Sequence, residues 1–182
     1  KTIEALQKNL LAEESDLFIF SDGAKNRIDA IKVTEVREYL KTVSGFNSVN
    51  IVEREKNLGL ADSIISGVTE IVNTYGKIIV LEDDLITSPY FLQYMNDGLT
   101  LYENGNRVIS IHGYVYPIKK SLPETFFLRG ADCWGWATWK RGWDLFESDG
   151  QKLLARLEKE KLVQEFDFDE SYGYSNMLKR QI

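Results

Sequence analysis

Apolar residues recur along this chain with two periods, one helical and one strand-like, and the two alternate. Ile3, Leu6, Leu10 and Leu11 fall at helical spacing and predict an amphipathic helix over the first twelve residues. Asp16 to Ser21 (DLFIFS) is a short β-rich run that ends at Asp22-Gly23, a strand leaving through a turn. Ile31, Val33, Val36, Tyr39, Leu40 and Val43 predict a helix over 29–43 that Gly45 closes, and Val49 to Glu53 gives a second strand. After the Asn57-Leu58-Gly59 turn, Ile64, Ile65, Val68, Ile71 and Val72 form the inward stripe of a helix from about Ala61 to Tyr75.

Lys77 to Leu81 (KIIVL) is continuously apolar, as in a strand covered on both faces, and it breaks into Glu82-Asp83-Asp84. Thr87 or Ser88 is placed to cap the next helix, with Pro89 in its first turn and Phe91, Leu92, Met95, Leu99 and Leu101 facing inward. Arg107 to Ile111 gives a fourth strand. Strand and helix thus alternate three times, which predicts a layered α/β fold on a largely parallel sheet. Beyond residue 112 the rhythm changes. Residues 114–143 hold all four tryptophans and two of the three prolines, an aromatic flank of short strands and loops. A charged helix over 151–165 follows, and another begins within 171–182. No linker, low-complexity stretch or repeat divides the chain, so a single domain over 1–182 is expected.

The 182 residues, 43% hydrophobic and 27% charged, suffice to fold without a metal or disulfide, so any metal serves function. Net charge is −6 with no basic stretch, which excludes a nucleic-acid partner. The apolar runs are too short for a transmembrane segment and the first residues carry no signal pattern, so the sequence reads as cytoplasmic, with membrane association only through a partner. One cysteine, Cys133, rules out an internal disulfide and cysteine-rich zinc. As a nucleophile it needs a base, and the one histidine is His112.

Glu82-Asp83-Asp84 carries the strongest chemical signal. Three adjacent carboxylates at a strand end repel one another unless a cation neutralises them, and Mg²⁺ or Mn²⁺ accepts such oxygen ligands while leaving positions for phosphates. In open α/β sheets the ligand crevice also lies beyond the carboxyl ends of the strands. The competing reading is a solvated acidic loop ahead of a helix N-terminus. His112, just past the fourth strand, belongs to the same edge. Trp134 and Trp136, two apart across Gly135, would share one face of an extended segment, to stack on a sugar or to fill the core. Asn57 and Gly59 either line a ligand pocket or only form a turn, and Asp22 either binds a ligand or only shapes its turn.

Leu81-Glu82-Asp83-Asp84-Leu85, followed by Ser88-Pro89-Tyr90-Phe91, resembles the Glu-Asp-Asp signature of N-acetylglucosaminyltransferase I, the local form of the Asp-x-Asp motif of GT-A glycosyltransferases. Phe20-Ser21-Asp22-Gly23 is similar to the strand-end aspartate of glycosyltransferase family 2, and Asn57-Leu58-Gly59-Leu60-Ala61 to its Asn-x-Gly segment. Arg129 to Ala137 (RGADCWGWA) resembles the family's Gly-Trp acceptor region. The resemblance implies a GT-A three-layer α/β/α fold, with residues 1–112 as the nucleotide-binding half and 113–182 as the acceptor side. It implies metal-dependent, inverting transfer from a nucleotide-diphosphate sugar, a UDP-sugar by this likeness, to a glycan, lipid-linked or other hydroxyl acceptor. Asp84 would hold Mn²⁺ or Mg²⁺. Glu82, Asp83, Asp22, Asn57 and Gly59 would surround the nucleotide sugar, and His112, Trp134, Gly135 and Trp136 the acceptor. An acidic general base is required, for which Asp169 and Glu170 are the choices among the four carboxylates of residues 165–170.

The family also carries a strand before the first helix and continues past the last one, so the resemblance implies a chain truncated at both ends, its activity in doubt, with an incomplete sheet open to oligomerisation. Rival functions are a sugar nucleotidyltransferase, for which a glycine-rich basic phosphate loop is missing, a phospho-acceptor receiver domain, and a non-catalytic carbohydrate-binding or interaction domain.

Overall fold

The computed structural model describes residues 1–182, which divide into two compact units, one of Lys1–Ser121 with Ala131–Trp143 and one of Leu122–Gly130 with Asp144–Ile182. The fold is mixed α/β. In the first unit α1 (Thr2–Leu6) is shorter than the spacing of its leucines predicts. Leu11 takes φ +72°, which ends helical continuation before a 3₁₀ turn at Ala12–Glu14. Asn9, buried in that break, donates to the Ala5 carbonyl and Thr87 Oγ1 and accepts the N–H of Leu92 at 3.0 Å.

β1 (Asp16–Ser21) is followed by α2 (Arg27–Leu40), which Asn26 caps by accepting the N–H groups of Ile28 and Asp29. β2 (Ser48–Glu53) leads to α3 (Leu60–Tyr75), which ends at Gly76 with φ +78° and turns directly into β3 (Lys77–Val80). α4 (Phe91–Leu101) starts after Pro89, not with Pro89 in its first turn. Neither Thr87 nor Ser88 caps it. The Leu92 donor at its start goes to Asn9, 83 positions away in sequence. β4 (Ser110–His112), β5 (Trp136–Trp139) and α5 (Lys140–Trp143) complete the unit.

The strands form two sheets instead of one largely parallel sheet. β1 and β2 pair in parallel, Asp16 opposite Ser48 through Ser21 opposite Glu53. In the other sheet β5 lies between β3 and β4 and runs antiparallel to both. A parallel neighbour needs a helical crossover, whereas residues 113–135 join β4 to β5 without a helix, so the chain returns antiparallel. The core gathers on α4, where Leu92, Met95 and Leu99 are nearly or fully buried with Leu6, Ala12, Ile111, Ala137 and Trp139. Each such large apolar side chain contributes roughly 1.5–3 kcal/mol. Leu101, expected to face inward, is 73% exposed, because the helix ends there and the residue falls outside the stripe. Trp139 donates Nε1–H to the Leu99 carbonyl, and the Arg141 guanidinium lies 4.2 Å above its ring.

The second unit holds α6 (Gly150–Lys159), capped by Asp149, then α7 (Val163–Phe166) and α8 (Tyr174–Lys179). No helix of the chain is long and apolar enough to cross a membrane.

Candidate functional site

Where β3 ends, the chain bends through Glu82-Asp83-Asp84, and none of the three carboxylates accepts a hydrogen bond or pairs with a cation of the chain. Only the backbone carbonyl of Asp83 is engaged, by Thr2 Oγ1 at 2.6 Å. Burial pushes the Glu82 carboxyl above its ordinary pKa, and the charges of Asp84, Asp83 and Asp132 push in the same direction. This spot stores negative potential that a cation would relieve. No three His, Cys, Asp or Glu side chains converge into a closed cage. A divalent ion at this bend would have one or two carboxylates of the chain as ligands and would need water or phosphate oxygens to complete its shell, as Mg²⁺ commonly does.

Asp84 borders an open pocket of about 520 Å³. Its walls come from α4 and the segment before it (Tyr90, Phe91, Tyr94), from Gly113-Tyr114 after β4, and from Trp134-Gly135 before β5. No lysine or arginine lines it. Trp134 is 40% exposed and packs edge-on against Tyr114, ring centroids 4.8 Å apart, with Tyr116 at 5.6 Å. A shallower depression of about 630 Å³ along α3 touches none of the candidate residues.

Trp134 and Trp136 do not share a face. Gly135 has φ +76°, a left-handed turn between them that breaks the two-residue alternation. Trp136 enters β5 and stacks on Trp143 at 6.0 Å and 28°, away from Tyr114 and Tyr116. Of the expected acceptor residues, then, Trp134 and Gly135 line the pocket with Asp84, and Trp136 does not. His112 stands one residue outside its wall. Its Nδ1 accepts the N–H of Asp132 at 3.3 Å, which leaves the proton on Nε2 to donate to Ser110 Oγ at 2.7 Å. Burial holds the imidazole below the ordinary histidine range, the Asp132 charge opposing. Cys133 is no activated nucleophile: burial, then Glu82, Asp132 and Asp84, raise its thiol pKa.

Asp22, Asn57 and Gly59 meet one another at the carboxyl ends of β1 and β2. Oδ2 of Asp22 accepts the N–H groups of Leu58 and Gly59 at 2.9 and 3.0 Å, Oδ1 is buried 3.7 Å from Arg54, and Asn57 donates to the Gly23 carbonyl. The Asp22 carboxylate thus positions the turn ahead of α3 through Oδ2, while its buried Oδ1 accepts no hydrogen bond. In the second unit Asp167 binds the backbone and hydroxyl of Ser175, which lowers its pKa, and Glu165 pairs with Arg129. Asp169 and Glu170 have neither hydrogen bonds nor ion pairs at their side chains and, with Phe168, take φ of 51–67°.

Sequence reasoning missed Asp132, which holds both His112 and Trp134, and the tyrosines 90, 94 and 114. Asp132-Cys133-Trp134 carried the signal, an aspartate two residues before the N–H that its side chain accepts. Compared with known proteins, the chain matches no family model, no curated protein and no solved structure.

Proposed function

We propose that this chain is the nucleotide-sugar-binding domain of a divalent-cation-assisted transferase of GT-A type, with the three-layer arrangement of that class. The reaction that fits best is inverting transfer of a sugar from a UDP-sugar to a hydroxyl of a glycan or other acceptor. The observation that carries this reading is that Asp84 and Trp134 border one pocket, an unpaired carboxylate facing an aromatic wall with no basic residue between them. Mn²⁺ or Mg²⁺, when bound, supplies Lewis-acid stabilisation of the departing diphosphate. Asp84 is its ligand from this chain, and Glu82 and Asp83 add the negative field that draws it in. Trp134, with Tyr90, Tyr94 and Tyr114, presents ring faces to the apolar side of an uncharged sugar. Asp132 fixes the backbone of Trp134. Asn57 and Gly59 border the nucleotide through the turn that Asp22 holds, and Asp169 or Glu170 takes the proton of the acceptor hydroxyl.

A non-catalytic carbohydrate-binding domain is the second reading, favoured by the cluster of Tyr114, Tyr116 and Trp134, and it has no use for the carboxylates. Thermal melts with Mn²⁺ plus UDP separate the two. Stabilisation by the pair at 100 times its dissociation constant amounts to about 2.7 kcal/mol, or roughly 5–10 °C for a chain of this size. Asp84→Asn is expected to remove most of that rise; an undiminished rise in the variant, or none in the native protein, overturns the reading.

A further inference from the structure

His112 is the one histidine of the chain, and its two ring nitrogens face unlike partners. Nε2 donates to Ser110 Oγ at 2.7 Å, two residues back on β4, and Nδ1 accepts the backbone N–H of Asp132 at 3.3 Å. An imidazole takes up its second proton on the nitrogen that was accepting, so protonation leaves the Ser110 bond intact and turns Nδ1 into a donor. Two N–H groups would then point at each other between His112 and Asp132. The carboxylate of the same aspartate, whose Oδ1 accepts the N–H of Trp134 at 2.7 Å, is the one charge that acts on the imidazole.

Nothing else around the ring competes for the added charge. β4 packs on β5 and α4. Opposite His112 on β5 stands Trp136, which is uncharged. α4 brings Phe91 and Met95 to the neighbouring Gly113, and its titratable residues, Tyr94 and Asp97, do not act on the ring. Cys133, beside Asp132, keeps its proton, because burial first, and then the charges of Glu82, Asp132 and Asp84, raise its pKa.

The segment that hangs on this bond is short and releasable. At Gly135 the chain becomes fixed, since its carbonyl accepts the Gly113 N–H at 2.9 Å and Trp136 then opens the β5 ladder. Gly135, at φ +76°, joins that fixed part to Asp132-Cys133-Trp134, which belongs to no helix or strand. Two bonds through Asp132, with ring contacts to Tyr114 and Tyr116 at 4.8 and 5.6 Å, keep Trp134 in the pocket wall.

We propose that His112 is a proton switch for the pocket: while its ring is neutral Asp132 holds Trp134 in the wall, and once it is protonated the Asp132 carboxylate turns to the imidazolium, releases the Trp134 N–H and lets that ring leave the wall. Burial sets the histidine below its ordinary pKa of about 6.5, so the wall is formed at neutral pH and is lost as pH falls below that value. Linkage requires the converse: a ligand that needs Trp134 in place lowers the pH at which His112 takes its proton. The switch is a property of His112, Asp132 and Trp134; that it regulates sugar binding rests on the reading of the pocket given above.

Native protein, His112→Gln and Asp132→Asn are titrated from pH 7.5 to 5.0 by NMR, where the single histidine gives one ring midpoint and the backbone amides at 132 and 134 are followed with it. Acrylamide quenching, measured against Trp134→Phe to isolate the one ring, reports its release, and maltotriose serves as the uncharged sugar. In native protein both amides are expected to move with the His112 midpoint and quenching of Trp134 to rise. Maltotriose is expected to bind about fivefold more weakly at pH 5.0 than at 7.5, the worth of one hydrogen bond, and to lower the midpoint when bound. In His112→Gln neither amide responds. In Asp132→Asn, which keeps an acceptor oxygen for Trp134 but no charge for the imidazolium, the amide at 132 still follows His112 and that of Trp134 does not. A Trp134 amide indifferent to the native His112 midpoint, an equal response in His112→Gln, or an undiminished Trp134 response in Asp132→Asn overturns the switch, as does maltotriose that binds without moving the midpoint. Failure of maltotriose to bind at pH 7.5 counts against the sugar reading alone, and the amides then decide the switch.

Discussion

The backbone N–H of Trp134 donates to Oδ1 of Asp132 at 2.7 Å, and the N–H of Asp132 itself donates to the ring of His112. A half-buried histidine at the end of β4 is thereby tied through one aspartate to a ring of the aromatic wall that is 40% exposed. Asp132→Ala is expected to cost about 1 kcal/mol, one hydrogen bond to a charged acceptor at a partly exposed site. Its larger effect falls on the environment of Trp134, read as a shift of tryptophan emission and as weaker binding of an uncharged oligosaccharide. Emission identical to that of the native protein would show that Asp132 does not position the ring.

Trp134 and Trp136 separate by substitution. Trp136→Ala removes the stack on Trp143 and part of the packing beside β5, and is expected to destabilise by about 3 kcal/mol, the low end for a tryptophan truncation. Trp134→Ala is expected to cost under about 1 kcal/mol, because the ring is 40% exposed, while abolishing sugar binding. Denaturant midpoints for both variants decide it; equal destabilisation contradicts the division of labour.

For Asp22 two variants are needed. Asp22→Ala leaves the N–H groups of Leu58 and Gly59 without an acceptor and removes the carboxylate 3.7 Å from Arg54, a loss of about 2–3 kcal/mol. Asp22→Asn keeps one acceptor oxygen for those donors and is expected to lose about half as much. Affinity for Mn²⁺ with UDP should fall in step with stability across the pair. Loss of affinity in Asp22→Asn without loss of stability would mean that the carboxylate touches the nucleotide.

His112 makes stability pH-dependent in a definite direction. Its folded pKa lies below the unfolded value of about 6.5. On acidification the unfolded state therefore takes up the proton first, so the stability present above that pH is lost as pH falls from about 6.5 toward the folded pKa. Native protein is expected to lose more melting temperature between pH 7.5 and 5.5 than His112→Gln does. Equal losses would remove His112 as the cause.

Local signals were legible where a run is bounded at both ends. DLFIFS, closed by Asp22-Gly23, is β1 to the residue, and α3 begins one residue ahead of its expected start. What escaped was set by distant partners or by one dihedral. Asn9 donates to the Ala5 carbonyl of α1 and accepts the N–H at the start of α4 through a bond spanning 83 residues, which no window of sequence contains. Gly135 at φ +76° separates two tryptophans that strand periodicity would align. The antiparallel return into β5 follows from a connection without a helix, and pattern reading defines strands without their partners. Of the candidate site, the acidic bend and Trp134 were visible as residue types. Their sharing of a pocket depends on the turn before α4 and on residues 113–114.

β5 lies in the middle of its sheet, and this order has a consequence during synthesis. Val80 leaves the ribosome well before its partner Trp136, and Ile111 before Ala137. At about 5–20 residues per second, β3 waits on the order of 3–10 s for the strand that will sit between it and β4. Through that interval KIIV and the apolar stripe of α4 are exposed together on the nascent chain, and a ribosome stalled between residues 112 and 136 would hold a half-sheet with no middle.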